Sequence, residues 1–239
     1  MKNQFKLFDR RNFIKKSSFV ALGTGGLLTM PQITLSNSLT SQDDITIIGP
    51  KEGFTPQIGT LVSMMNYMRM IILMPVKGMS VEDLDYLHDS KANSIGALLL
   101  HLAATERYYQ INTFEGKKDW DEEDVLNWEI ASGLGDKARE TINGDKLEFY
   151  LQKLKEVREN SLEEFSKRND DWLMEVDEDW PWGPTNNYCK WFHVCEHESN
   201  HNGQVKFIKK DCHHHKKTIK NLLTTLKFHI CASHANPYI

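Results

Sequence analysis

Residues 193–203, HVCEHESNHNG, contain histidines at spacings that suit metal binding. An α-helix turns once every 3.6 residues, so His197 and His201 would face the same side, about one turn apart, and could reach one ion. His193 extends this stripe by another turn, but it would lie about 12 Å from His201 along the axis. One ion with bonds of about 2.0–2.1 Å cannot take both. The helix therefore offers either His197 with His201 or His193 with His197, and a third ligand must come from elsewhere.

The same stretch also matches the H-E-x-x-H pattern of zinc metalloproteases, in which the glutamate is the general base. That class needs a ligand downstream, either a glutamate or the histidine of an x-x-G-x-x-H extension. No glutamate follows Glu198, and the extension positions hold Gln204 and Phe207. A zinc metalloprotease is therefore the less favoured alternative. Glu198 stays a candidate catalytic base, a group that orients a ligand, or a solvated carboxylate.

A candidate third ligand lies almost a hundred residues upstream. His101 lies in the apolar run LLLHLAATE, where a lone histidine is most often a hydrogen-bonded core residue. Helix bundles, however, build metal sites from side chains on facing helices. Three imidazoles would leave a fourth position open for water or substrate, and a metal there would activate water or a thiol.

Helical periodicity dominates the rest of the chain. Apolar residues recur at three- and four-residue steps over about 56–74, 91–114 and 145–168, and a fourth helix is predicted from a cap at Thr185 or Asn186 to about Lys210. A short helical turn begins at Ser80, and residues 115–144 form an acidic loop with helical fragments. No sustained period-two run is present. The pattern predicts an all-α fold, a four-helix bundle.

The N-terminus resembles a twin-arginine export signal. Arg10 and Arg11 precede an apolar stretch, residues 19–30, which at about 12 residues is too short to span a bilayer. We therefore expect a signal over 1–35, a linker over 36–50, a bundle over 51–212 and a basic tail over 213–239. The protein would be exported to the periplasm, with the twin-arginine machinery as a partner.

Composition and cysteine spacing argue against two other classes, nucleic-acid-binding proteins and disulfide-stabilised proteins. The 239 residues are 40% hydrophobic and 26% charged, and the net charge is −4. This balance gives no reason to expect nucleic acid as a partner. The cysteines show no C-x-x-C spacing and no disulfide framework; they are Cys189, Cys195, Cys212 and Cys231.

Two segments carry a family resemblance: SIGALLLHLAATERYY (94–109) and WFHVCEHESNHNGQV (191–205). They resemble the DinB-like superfamily of metal-binding four-helix bundles, also called DinB/YfiT-like, over about residues 50–210. His101, His197 and His201 fall on the three ligand positions of that superfamily. Glu106 matches the acid after the first histidine, and Gly203 and Gln204 match the G-Q that follows the last one.

The resemblance implies a divalent metal, zinc first, with nickel, iron or manganese as alternatives. One hypothesis is an enzyme with an open metal position, either a hydrolase or an S-transferase that uses a low-molecular-weight thiol. Export favours the hydrolase, because such thiols are mainly cytosolic. The other hypothesis is a non-catalytic, stress-associated metal-binding bundle, closed by His193 or Glu106 as an additional ligand. An enzyme needs a pocket for a small-molecule substrate, with Tyr108, Trp182 or Trp191 as candidate lining; a homodimer is compatible with either.

Overall fold

The computed structural model describes residues 45–233, with side chains described as far as residue 224. The predicted signal over 1–35 and most of the predicted linker lie outside the described residues. The first long helix, α1, spans Pro56–Val76 and contains Pro75 in its last turn. Its N-terminus is capped by Asp170, whose Oδ1 accepts from the backbone N–H of Gln57 at 3.1 Å and of Ile58 at 3.2 Å.

Short helices separate the second long helix from its neighbours. Helix α2 covers Val81–Leu84, and the predicted capping box between Ser80 and Asp83 is present. Helix α3 spans Ile95–Thr113, and Ser94 caps it by accepting from the N–H of Ala97. The acidic segment that follows holds α4, Glu122–Gly133, and α5, Gly135–Thr141. These are the helical fragments that the sequence predicts there.

The second half of the chain begins with α6, Leu147–Ser166, and α7, Asp170–Met174. Two short antiparallel strands follow, β1 at Val176–Asp177 and β2 at Thr185–Asn186, with Val176 opposite Asn186. The last helix, α8, spans Asn187–Ser233. Its first turn is held by Asn186, whose Oδ1 accepts from the N–H of Cys189 at 2.9 Å.

The four long helices α1, α3, α6 and α8 form the bundle, so the all-α prediction is confirmed. Two apolar clusters fill it. One is centred on α3 with Leu98, Leu99 and Leu102, and the other joins α1 to Trp191 of α8. By length and composition alone α1 could cross a membrane. Its buried face, however, packs in the second cluster.

The predicted end of the fourth helix near Lys210 is wrong. The chain has no proline or glycine between Gly203 and Pro237, so nothing in the local sequence stops the helix. All residues from 213 to 224 are exposed. This part of α8 therefore gains almost no stabilisation from core packing.

Candidate functional site

Three histidine side chains from α3 and α8 converge on one point. The Nε2 atom of His197 lies 2.8 Å from Nε2 of His101 and 3.1 Å from Nε2 of His201. One ring nitrogen from each of the three lies within 4.8 Å of the other two. A tetrahedral ion with bonds of about 2.0–2.1 Å would hold its ligands about 3.4 Å apart, so small ring movements would accommodate one.

The packing of both helices explains this convergence. His101 follows the buried Leu98 and Leu99, and it points out of the core cluster toward α8. His197 and His201 lie one turn apart on α8, as the spacing predicts. His201 is buried, whereas His101 and His197 are partly exposed. Solvent therefore reaches the cluster on one side.

Hydrogen bonds at the opposite ring nitrogens orient two of the imidazoles. Nδ1 of His101 lies 2.9 Å from the carbonyl oxygen of Ala131, and Nδ1 of His201 lies 2.9 Å from Oε1 of Gln204. Both partners only accept, so both Nδ1 atoms must carry the proton. The Nε2 lone pairs of these two rings then face Nε2 of His197, which can donate to only one of them. A set of convergent lone pairs with at most one proton suits a cation.

Electrostatics keeps the cluster neutral. Burial first, and the neighbouring imidazoles after it, lower the pKa of His101 to about 4 and that of His197 to about 3. Burial also lowers the pKa of His201. Neutral imidazole is the form that binds metal, so at neutral pH the three histidines need not lose a proton before they bind an ion.

The two additional ligand candidates, His193 and Glu106, lie apart from this cluster. The His193 ring packs 5.1 Å from the His197 ring, but its Nδ1 is 2.8 Å from the Tyr109 hydroxyl. Glu106 is fully buried, and its oxygens accept from two arginines and from Ser161. Among the described residues, neither joins the group that could share one ion.

Glu198 is part of a buried charge cluster that we call the charged quartet: Arg69, Glu106, Arg158 and Glu198. Each of the four long helices contributes one member. Arg69 Nε donates to Glu198 Oε1 at 2.8 Å, and Arg158 Nη2 donates to the same oxygen at 3.1 Å. Glu106 accepts from Arg69 Nη2 at 2.7 Å and from Arg158 Nε at 2.8 Å.

The burial of Glu198, only 1% exposed, excludes the solvated-carboxylate alternative. Its Oε2 atom makes no hydrogen bond with any described residue. Glu198 as a catalytic base remains a prediction, and the structure shows it bonded to arginines. The two arginines were missed in the sequence. Their signal was a basic residue inside each apolar stripe, beside Met68 on α1 and Val157 on α6.

The three aromatic residues predicted to line a pocket have different environments. Trp191 is fully buried and packs against Phe165, with ring centroids 4.6 Å apart. Tyr108 is half-buried, and Trp182 is 59% exposed. Trp191 is therefore a core residue and the pocket-lining prediction is wrong for it. Tyr108 and Trp182 lie at the surface.

Comparison with known proteins gives the same reading of the histidine segments. The sequence profile of the mycothiol-S-transferase family matches residues 60–212, which contain all three converging histidines. That family is part of the DinB/YfiT-like superfamily, so the resemblance seen in the sequence is confirmed. A search of curated proteins found no match.

Proposed function

Since the chain belongs to the mycothiol-S-transferase family, we propose that it is a metal-dependent thiol S-transferase. His101, His197 and His201 hold one divalent ion, with zinc the first choice because three imidazoles and an open position are typical of catalytic zinc. Convergence of their Nε2 atoms is the observation that carries the proposal. A low-molecular-weight thiol, mycothiol or a relative, is the first substrate.

The bound ion would act as a Lewis acid and lower the pKa of a thiol bound at its open coordination position. The protein's own groups prepare that position. The Ala131 carbonyl and the Gln204 amide hold two imidazoles with their lone pairs inward. The partial exposure of His101 and His197 leaves access for a small molecule. The charged quartet joins α3 and α8, the two helices that carry the ligands.

The transfer itself needs no redox partner. The thiol sulfur attacks an electrophilic carbon, a carbon–sulfur bond forms, and the leaving group departs with its electron pair while the thiol proton goes to solvent. The family match favours this reaction over the hydrolase alternative. The non-catalytic alternative predicts metal without turnover.

The test combines metal removal with a thiol series. Purified protein is stripped with a chelator and reloaded with Zn²⁺, Ni²⁺, Fe²⁺ or Mn²⁺. Loss of thiol to an alkylating reagent is then followed with mycothiol, glutathione and cysteine. We expect turnover with at least one thiol, its loss on stripping and its return with one metal. His201→Ala should abolish turnover, whereas His214→Ala, an exposed histidine on the same helix, should not. Turnover that survives stripping would contradict the proposal.

Export through the twin-arginine pathway is a separate proposal that rests on Arg10 and Arg11. It requires that the thiol be available outside the cytosol. Cell fractionation of the full chain tests it. The wild type should be found outside the cytosol, and the Arg10→Lys, Arg11→Lys double variant should be retained. Equal distribution of the two proteins would reject the signal.

A further inference from the structure

A row of aromatic rings leads away from the histidine cluster. The His193 ring lies 5.1 Å from the His197 ring and 5.1 Å from the Trp182 ring. Trp182 continues to Trp180 at 5.7 Å, Trp180 to Tyr108 at 6.2 Å, and Tyr108 to Trp120 at 5.3 Å. We call the following set the aromatic wall: Tyr108, Trp120, Trp180, Trp182 and His193.

Four parts of the chain build this wall. Tyr108 lies on α3, and Trp120 lies in the segment after it. Trp180 and Trp182 lie in the loop between β1 and β2, and His193 lies on α8. The wall therefore joins residues far apart in sequence, and His193 is the member that contacts His197.

Most rings of the aromatic wall are more exposed to solvent than the aromatic rings of the core. Trp182 is 59% exposed, and Tyr108, Trp120 and His193 are half-buried. By contrast, Trp191 and Phe165 are 0% exposed. Trp180 is buried, yet its Nε1 hydrogen finds no acceptor among the described residues. That nitrogen is itself buried, so the exposed rings beside it, with Trp182 foremost, are the part of the wall that can contact a ligand.

We propose that the aromatic wall binds the aromatic ring of the electrophile that receives the thiol. This inference rests on the proposed S-transferase function and names the class of the second substrate. A flat ring would stack against the exposed indole of Trp182, two ring contacts from His197. Stacked and edge-to-face pairs of this kind are favourable beyond simple burial of area.

Charges near the wall argue against an anionic ligand. Lys190 lies over the Trp180 ring at 4.2 Å, but its Nζ donates to Asn112 at 2.8 Å and to Asp177 at 2.7 Å. Lys118 pairs with Asp179. Both lysines are thus already paired, and Glu196 Oε2 lies 3.8 Å from His193 Nε2, so the charges beside the wall do not favour an anion.

With a chloronitrobenzene as electrophile, the proposed transfer is a substitution of chloride by the thiol. The thiol sulfur bonds to the ring carbon that carries chlorine, the carbon–chlorine bond breaks, chloride leaves with the electron pair, and the thiol proton goes to solvent. Only the thiol and the electrophile are consumed.

Steady-state kinetics of the full-length, metal-loaded protein with two electrophiles test this assignment. One is 1-chloro-2,4-dinitrobenzene, which has an aromatic ring, and the other is iodoacetamide, which has none. We expect Trp182→Ala to raise KM for the aromatic electrophile about fivefold to tenfold, with kcat, metal content and KM for the thiol and iodoacetamide unchanged. Trp182→Phe should restore most of the loss. Phe207→Ala removes an exposed ring elsewhere on α8 and should match the wild type.

Equal effects of Trp182→Ala on both electrophiles would overturn the proposal, as would a rise in KM for the thiol alone or an effect confined to Phe207→Ala. Ligand-observed NMR with unreactive 2,4-dinitroaniline separates this inference from the proposed function. If the wild type binds the ring and Trp182→Ala does not, the subsite stands even where no thiol is turned over. If thiol transfer proceeds while both proteins bind the ring equally, the subsite fails and the transferase stands.

Discussion

Replacing Glu106 with glutamine should destabilise the fold strongly, because Glu106 balances two buried arginines. Its carboxylate is fully buried and accepts from Arg69 Nη2, Arg158 Nε and Ser161 Oγ at 2.7–2.8 Å. Glutamine has nearly the same shape, but it removes one negative charge and turns an N–H group toward arginine donors. Removing one partner of a buried ion pair costs about 3–5 kcal/mol.

Urea unfolding, followed by circular dichroism, measures this loss as a change in the free energy of unfolding. At about 2–4 °C per kcal/mol for a domain of this size, the melting temperature should fall by roughly 6–20 °C. Glu163→Gln is the matched control, since Glu163 is 68% exposed and its ion pair is with Lys167, which is 52% exposed. Its change should stay within about 0.5 kcal/mol. A Glu106→Gln protein within about 1 kcal/mol of the wild type would refute the idea that the quartet needs both carboxylates.

Further predictions concern pH, two glycines and the end of the chain. The pKa values of His101 and His197, about 4 and about 3 in the folded state, lie below the ordinary 6.5. The unfolded state therefore takes up protons first, and the metal-free protein should be most stable above about pH 6.5 and weaken as the pH falls toward 4. Urea unfolding at pH 7.5 and 5 checks this, and a variant with both histidines changed to glutamine should lose part of the difference. Gly203→Ala should raise the free energy of unfolding by about 0.5–1 kcal/mol, because a Cβ there meets nothing within 4 Å. Gly96→Ala should lower it by about 1–3 kcal/mol, because its Cβ would lie 2.7 Å from a tyrosine oxygen. Truncation after Cys212 removes the ion pair between Lys216 and Asp83. The next twelve residues are all exposed and such a pair is worth about 0–1 kcal/mol, so the melting temperature should fall by at most about 4 °C; a larger fall would show that this part of α8 supports the bundle.

The sequence predicts most of the helical fold because the signals are local. Ser94 and Asn186 cap their helices, and Ser80 forms its capping box, by side-chain bonds that span only three residues. The end of α8 was misplaced because a change in composition after Cys212 does not break a helix. Only proline, glycine or lost hydrogen bonds do so.

The candidate site is less predictable because it depends on contacts between distant segments. Spacing alone leaves His193 and His201 as rivals for the second position on α8, and only packing against α3 brings the Nε2 atoms of His197 and His201 together with that of His101. The Ala131 carbonyl, 30 residues from His101, has no sequence signature at all. The sequence does not predict the partners of Glu198, Arg69 and Arg158, because an arginine in an apolar stripe does not show which carboxylate it pairs with.

The central claim is that three histidines hold one metal ion, and the most direct test is metal stoichiometry. Elemental analysis of the purified protein should give about one divalent ion per chain. His101→Ala, His197→Ala and His201→Ala should each lose most of that metal while keeping the helical circular dichroism spectrum. His193→Ala should keep it. Retained metal in the triple variant would contradict the claim. Loss in His193→Ala with retention in His201→Ala would show that the site lies one helical turn earlier on α8.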